Sequence, residues 1–455
     1  MNSKAIPLTG RPEDGTHEEI DGQHVLRFER RLAHPIERVW DAITEPEELR
    51  AWLARAEIEP KEGGRIVLEW QNAVTPDDAA RYGIEGVDTS GEAPTMHGTI
   101  TRFDPPRLIE YDTDIHGRLR WELREDAAGC VLSFSSTLPP VEEAGRAQAL
   151  AGWHIHLDLL DDALAGGQTD WANWPIERWA ELRDHYAEAL AARKYKDGVR
   201  QSWSVGDWSA VAPAIQGAAD AVVTELDIAA GQDVLDVATG NGNAAIAAAG
   251  RGARVVGLDL VPELLEAAAR RAEETGMDVQ WIVGDADALP FDEDSFDRVT
   301  SIFGVIFAFD HRGAAAELVR VARPRSAIGI AAWTPEGVNG QIFEAITSFV
   351  SAPPSAQNPM RWGEEDYARG LFAEFDVEVG FQRRTVDTVW ASSEAWVDHQ
   401  ASNLGPMMGM KAALEEEGSW AEARAALVKL YERHNQSGDG SLRAPAEYLL
   451  VTVRT

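Results

Sequence analysis

Residues 233–247, DVLDVATGNGNAAIA, constrain this chain more than any other stretch. Val234, Leu235 and Val237 read as a buried strand. Gly240, Asn241 and Gly242 read as a tight turn, and an alanine-rich run then starts a helix. A strand, a glycine turn and a helix N-terminus in that order make a nucleotide pocket. Glycine lets the backbone approach a ligand closely and adopt dihedral angles that other residues resist.

The turn alone leaves the nucleotide open. Gly240, Gly242 and Ala245 fit the spacing G-x-G-x-x-G/A, so a nicotinamide dinucleotide is one alternative. Two features oppose it. Asp236 stands at the strand end, where it repels a diphosphate and welcomes an ammonium. The other is the acidic cluster Gly284, Asp285, Ala286, Asp287, which follows an apolar strand at residues 279–283. Between them a strand at residues 255–259 ends in Asp259, about 20 residues beyond the glycines, where a carboxylate reaches ribose hydroxyls.

The segments DVATGNGN, GLDL, GDADALPF, FDRVTSIFGVIFAFDH and AAAELVRVARPRSAIGIAAWTPEG follow one another in order. In these the sequence resembles the class I S-adenosylmethionine (SAM)-dependent methyltransferases, from about Tyr195 onward. The resemblance implies an α/β doubly wound, Rossmann-like domain with a mainly parallel sheet, and SAM as cofactor. It implies that Asp236 and the loop Gly240, Asn241, Gly242, with Thr239 nearby, hold the methionyl end. Asp259 takes the ribose hydroxyls and Leu260 packs on adenine. Asp285 accepts from the adenine amino group, the Ala286 backbone reads the ring edge, and Ile302 and Phe303 sit beside the cofactor. Two departures stand out. Ala238 replaces a common glycine, and Arg325-Ser326 replaces a glycine pair.

With 455 residues the chain has room for two or three domains. No run of 18 uncharged apolar residues suggests a membrane span, and the N-terminus lacks the apolar segment of a signal peptide. The single cysteine, Cys130, excludes an internal disulfide and a cysteine-based metal cluster. These features point to the cytoplasm and to no metal site. A net charge of −34 repels phosphate backbones and argues against nucleic-acid substrates.

Ahead of residue 196 the pattern differs. Residues 1–21 read as a flexible tail. A strand (24–31), two short helices (from Pro35, and 46–53) and strands at 65–70, 96–103, 107–113, 118–124 and 131–137 follow. Residues 72–94 read as an extended loop. A long helix spans about 141–165, with Leu150, Trp153, Leu157, Leu160 and Leu164 at helical spacing. RRLAHPIERVWDAITEPEELRAWLA, GTITRFDPPRLIEYD and GWHIHLDLLDDALAGG carry a resemblance to the START-like (SRPBCC) superfamily, specifically homologues of the heat-shock-protein ATPase activator. This implies an α+β helix-grip domain over residues 22–167. Its aromatic residues either line a cavity for a hydrophobic ligand or fill the core; a sheet face that binds a chaperone is a further alternative. His154 and His156, two apart on a helix, face different ways and read as structural.

Residues 168–195 read as a helical linker and 196–455 as the methyltransferase, with the Rossmann core at about 210–335 and a cap at 336–455. Within the cap, strands are expected at 377–381, 384–390 and 447–453. Met407, Met408 and Met410 either cap an acceptor pocket or pack between helices. The methyltransferase resemblance implies a helical lid at 200–209, in which Trp203, Asp207 and Trp208 either touch cofactor or acceptor or only pack the lid. His311 is the best candidate for a catalytic base, because imidazole titrates near neutrality; His399 and His434 are weaker. The leading reading is a methyltransferase acting on a small, hydrophobic molecule, with the front domain binding a ligand or regulating. The alternative is a non-catalytic ligand- or chaperone-binding protein with a SAM-sensing domain.

Overall fold

The computed structural model describes residues 13–72, 74–84, 92–349 and 357–455. The first part of the expected tail, part of the expected loop at 72–94, and Pro353-Pro354 lie outside these residues. The chain divides into two compact units, Met1–Arg193 and Lys194–Thr455. The boundary falls inside helix α5 (Ile176–Trp203), where the linker was expected.

The front unit contains β1 (Thr16–Ile20), β2 (Gln23–Leu32), α1 (Ile36–Thr44), α2 (Pro46–Trp52), β3 (Ala54–Ile58), β4 (Arg65–Trp70), α3 (Pro76–Tyr82), β5 (Thr95–Asp104), β6 (Leu108–Thr113), β7 (Gly117–Asp126), β8 (Gly129–Thr137) and α4 (Glu143–Leu164). Its strands form one antiparallel sheet in the order β1-β2-β8-β7-β6-β5-β4-β3. This is a sheet gripping one long helix, as a helix-grip fold requires.

Two expectations are corrected here. Thr16–Ile20 is not tail but an edge strand, bonded along its length to β2. The loop expected at 72–94 carries α3, started by a capping box between Thr75 and Asp78 and ended by Gly83 in the left-handed conformation.

Leu150, Trp153, Leu157, Leu160 and Leu164 of α4 are all buried. Trp153 packs on Phe134 with centroids 4.5 Å apart, and Trp121 packs on Phe134 at 4.2 Å. Trp70 and Trp121 each lie 6.0 Å from Trp153. The indole of Trp121 donates to the Tyr111 hydroxyl, and that of Trp52 to the Ala42 carbonyl. Aromatic rings thus pack on one another between helix and sheet. His154 and His156 are buried as well. His154 contacts the Tyr186 hydroxyl at 2.7 Å, and His156 lies 3.3 Å from the Trp52 carbonyl. Burial lowers His156 to about 4, so it is a neutral ring in the core.

The rear unit contains the end of α5, then α6 (Trp208–Val211), α7 (Gln216–Glu225), β9 (Asp233–Val237), α8 (Asn243–Ala249), β10 (Arg254–Asp259), α9 (Pro262–Thr275), β11 (Val279–Val283), β12 (Phe296–Ile302), α10 (His311–Val321), β13 (Ala322–Trp333), α11 (Val338–Phe349), α12 (Glu365–Leu371), β14 (Glu378–Trp390), α13 (Ser393–Asn403), α14 (Gly405–Glu416), α15 (Trp420–His434) and β15 (Leu442–Arg454). The sheet order is β11-β10-β9-β12-β13-β15-β14. The first five strands pair in parallel; β15 runs antiparallel to β13 and β14, so the sheet is mixed. Strand order reverses between β9 and β12. That switch point opens a crevice at the carboxyl ends of the strands, where sheets of this kind bind ligands.

Two strands expected at 377–381 and 384–390 are one continuous strand, β14. Residues 208–225 form α6, a 3-10 turn and α7 rather than one helix, because Pro213 supplies no N–H within it. Met407 and Met410 are buried with Trp396, Leu414, Leu427 and Tyr431 among α13, α14 and α15, so they pack between helices. Among the described residues no helix is long and apolar enough to cross a membrane.

Replacing Trp153 by Ala removes the ring that joins sheet to helix. The expected cost is about 3–5 kcal/mol, read as an earlier denaturant midpoint of the full chain. A change within error would mean the aromatic cluster is not the core of the front unit.

Candidate cofactor site

The glycine turn is held by an acid beneath it. Asp236, 1% exposed at the end of β9, accepts from three donors. The Thr239 hydroxyl (2.5 Å) and the Ala245 N–H (3.1 Å) bind one oxygen, and the Thr300 hydroxyl (2.7 Å) binds the other. Thr300 is the register partner of Asp236 on β12. Burial raises Asp236 to about 6, against hydrogen bonds that pull it down. Each carboxylate oxygen thus holds at least one internal donor, and Asp236 braces the loop.

The turn itself is open to the crevice. Gly240 has φ +57, and a side chain there would meet nothing within 4 Å. Gly242 has φ +84, and a side chain there would strike Trp281 at 2.8 Å. Asn241 points both ways: its amide donates to the Trp208 carbonyl (3.0 Å), while its own carbonyl accepts from Arg271 (2.5 Å). Arg271 also donates to Asn243 Oδ1 at 2.8 Å.

Asp259 ends β10, the neighbouring strand. Its oxygens accept from the Gly240 N–H (2.7 Å) and the Val261 N–H (2.9 Å), and burial raises it to about 6. Leu260 beside it is half-buried. Asp285 and Ala286 follow β11 and are also half-buried. Asp285 is paired with Lys196 at 2.7 Å. Ile302 is the last residue of β12 and half-buried. Phe303 follows with φ +56, a left-handed value uncommon for an aromatic residue, and stacks on Trp333 with centroids 3.6 Å apart. The structure thus gathers Thr239, Gly240, Asn241, Gly242, Asp259, Leu260, Asp285, Ala286, Ile302 and Phe303 at the carboxyl ends of β9 to β12.

His311 does not join them as a base. It is 0% exposed, with Nε2 3.0 Å from the Ile306 carbonyl and Nδ1 2.9 Å from the Tyr367 hydroxyl. A carbonyl only accepts, so Nε2 carries the proton, while the Tyr367 hydroxyl beside Nδ1 also reaches Gln357 Oε1 at 3.2 Å. Burial lowers the ring to about 4. His399 is also engaged, with Nε2 3.2 Å from the Ala210 carbonyl and Nδ1 3.2 Å from the Asn403 amide.

The sequence reading missed Thr300, Arg271 and Lys196. Thr300 was open to discovery, since a polar residue inside a buried strand needs a partner. Arg271 and Lys196 carried no such mark, being charged residues on helices.

A methyltransferase-domain family model matches residues 234–325, the span that includes the glycine turn and both acids. The rear unit therefore carries a methyltransferase domain. A second family model, for activator of Hsp90 ATPase homolog 1-like protein, matches residues 33–165, so a START-like domain precedes the methyltransferase. The uncharacterized protein Rv1405c of Mycobacterium tuberculosis is 37% identical over 262 residues, 56% of this chain and 93% of that protein. Demethylmenaquinone methyltransferase of Thermus thermophilus is 39% identical over 114 residues, 24% of this chain and 52% of that protein. Among solved structures, the YcgJ protein from Bacillus aligns with a TM-score of 0.38 at 19% identity, covering 52% of this chain and 97% of that one.

Ala238 of the methyltransferase has φ +51, which explains why glycine is common there. Ala238→Gly is expected to stabilise the protein by about 0.5–1 kcal/mol, the relief of left-handed strain less the entropy of a freer chain. Thermal unfolding checks this; a lower midpoint would show that Ala238 is not strained. His311→Gln should lower stability by about 1–3 kcal/mol through unpaired buried groups. It should leave the shape of any pH–rate profile unchanged, and loss of a limb near neutrality would restore His311 as a base.

Proposed function

We propose that the rear unit binds SAM across the β9–β12 crevice and methylates a small, hydrophobic molecule. One observation carries the reading. At the switch point a buried carboxylate, Asp259, is bonded to the N–H of Gly240, the loop residue that faces open space. Acids at the ends of β10 and β11 suit a ligand that offers hydroxyl and amino donors, as a ribose and an adenine do. Asp236 beneath the glycine turn repels a diphosphate, which disfavours NAD. Asp259 would take the ribose hydroxyls, Asp285 the adenine amino group, and Leu260 and the Ala286 backbone the ring. The Gly240, Asn241, Gly242 loop and Thr239 would shape the methionyl end, with Asp236 holding that loop from below. Ile302 and Phe303 would form the wall beside it.

SAM, when bound, supplies a methyl group already activated by its sulfonium. The chain's own task is to align the acceptor and to exclude water. Aromatic side chains are suited to both. Trp203 stacks on Trp208 at 4.7 Å and packs on Phe307 at 5.3 Å. His311 and His399 have both ring nitrogens engaged, which supports an acceptor whose nucleophile needs no strong base. In the front unit, a core filled with aromatic rings supports a regulatory role over a cavity-bound hydrophobic ligand.

Calorimetric titration with S-adenosylhomocysteine (SAH), with NAD as control, tests the cofactor; methyl transfer to acceptors from a cell extract tests the activity. Binding of NAD alone would overturn the reading. Asp259→Ala should weaken SAH by about 1.5–3 kcal/mol, roughly 10- to 150-fold, and unchanged affinity would remove Asp259 from the site. Affinity should also fall as pH drops through about 6, where Asp259 takes a proton. Stability runs the other way. A carboxyl raised by folding contributes most below the ordinary range, and that contribution is lost as pH rises through about 6.

A further inference from the structure

Lys196 stands near the end of α5. Its ammonium lies 2.7 Å from Asp285 Oδ2 and 2.8 Å from Asp287 Oδ2. The other Asp285 oxygen accepts the Asp287 N–H at 3.0 Å. Both oxygens of Asp285 are therefore engaged. The ion pairs are partly shielded from water, with side-chain exposures of 19% for Lys196, 29% for Asp285 and 11% for Asp287.

The segment that carries Lys196 is fastened at further points. The Tyr195 hydroxyl donates to the Phe307 carbonyl at 3.1 Å, and its ring packs on Phe309. The Trp208 carbonyl accepts from Asn241 of the glycine turn. Residues 195–208 thus run from the acidic turn after β11 to the glycine turn after β9. They touch both ends of the proposed cofactor crevice.

We propose that Lys196 is an electrostatic latch on the cofactor site. It holds residues 195–208 against the acidic turn, and its bond to Asp285 opens when the adenine amino group takes that acid. This rests on the reading that Asp285 is the adenine acceptor. The second acid explains how the exchange is made. A neutral amine is a weaker donor than an ammonium, so outright displacement of Lys196 into water is unfavourable. Asp287 keeps the lysine bound while Asp285 is released. The ammonium therefore pivots from two acids to one, and the lid stays attached.

The test is stopped-flow association of SAH with the full chain, followed by tryptophan fluorescence at low and high sodium chloride. SAH carries no net charge near neutrality, so the acidic surface does not dominate its rate. Wild type should bind faster as salt rises, because screening loosens the latch. Lys196→Met should bind several-fold faster at low salt and lose the salt dependence. A variant rate and salt slope equal to wild type, or slower binding by the variant, would overturn the latch. Asp287→Asn gives a second reading if Lys196→Met does not fold. It leaves Lys196 with Asp285 alone and should slow association, and faster association would count against the pivot. Failure of wild type to bind SAH at any salt would instead overturn the cofactor reading itself.

Discussion

The rear unit depends on one buried carboxylate. Asp236 joins the turn through Thr239, the start of α8 through the Ala245 N–H, and β12 through Thr300. Burying an acid is costly unless its oxygens are bonded, and here each oxygen has a donor. The arrangement fixes where the glycine turn lies relative to the neighbouring strand, and through Gly240 it sets the position of Asp259. The acid nearest the turn in sequence is thus tied to three elements at once. It shapes the crevice from behind.

This division of labour limited what was legible in the sequence. A strand, a glycine turn and acids at later strand ends are local patterns, and the structure brings those residues together. The partners of each acid come from residues distant in sequence, and local pattern says nothing of them. His311 shows the same limit: its position at a helix start was visible, but not the carbonyl of Ile306 or the hydroxyl of Tyr367 that occupy its ring. Edge strands were hard for another reason. Thr16–Ile20 is held by backbone bonds to β2, which ask little of the side chains. In β14, the polar run Gln382, Arg383, Arg384 looked like a break. Glu225 takes Gln382 and Arg384, and Glu447 takes Arg383, so the strand continues through it. The capping box of α3 was written in the sequence and overlooked among polar neighbours.

The front unit shows how composition can be read in two ways. Tryptophans at helical and strand spacing suit a ligand cavity and a packed core equally well. Trp121, Phe134 and Trp153 contact one another, and the Trp121 indole already has a partner in Tyr111, which favours the core. His156 fits this picture as a neutral ring, 4.9 Å from Trp70.

The place of β15 carries a consequence for assembly. It lies between β13 and β14, and among the described residues β14 has no other strand beside it. Residues 378–390 are therefore made well before the strand that pairs with them. During synthesis they wait through α13, α14 and α15 with their backbone groups unpaired. The parallel half of the sheet, which shapes the crevice, has all its strands by residue 333. The crevice can thus form early, and the antiparallel border closes last, by contacts of long sequence separation that are slow to find.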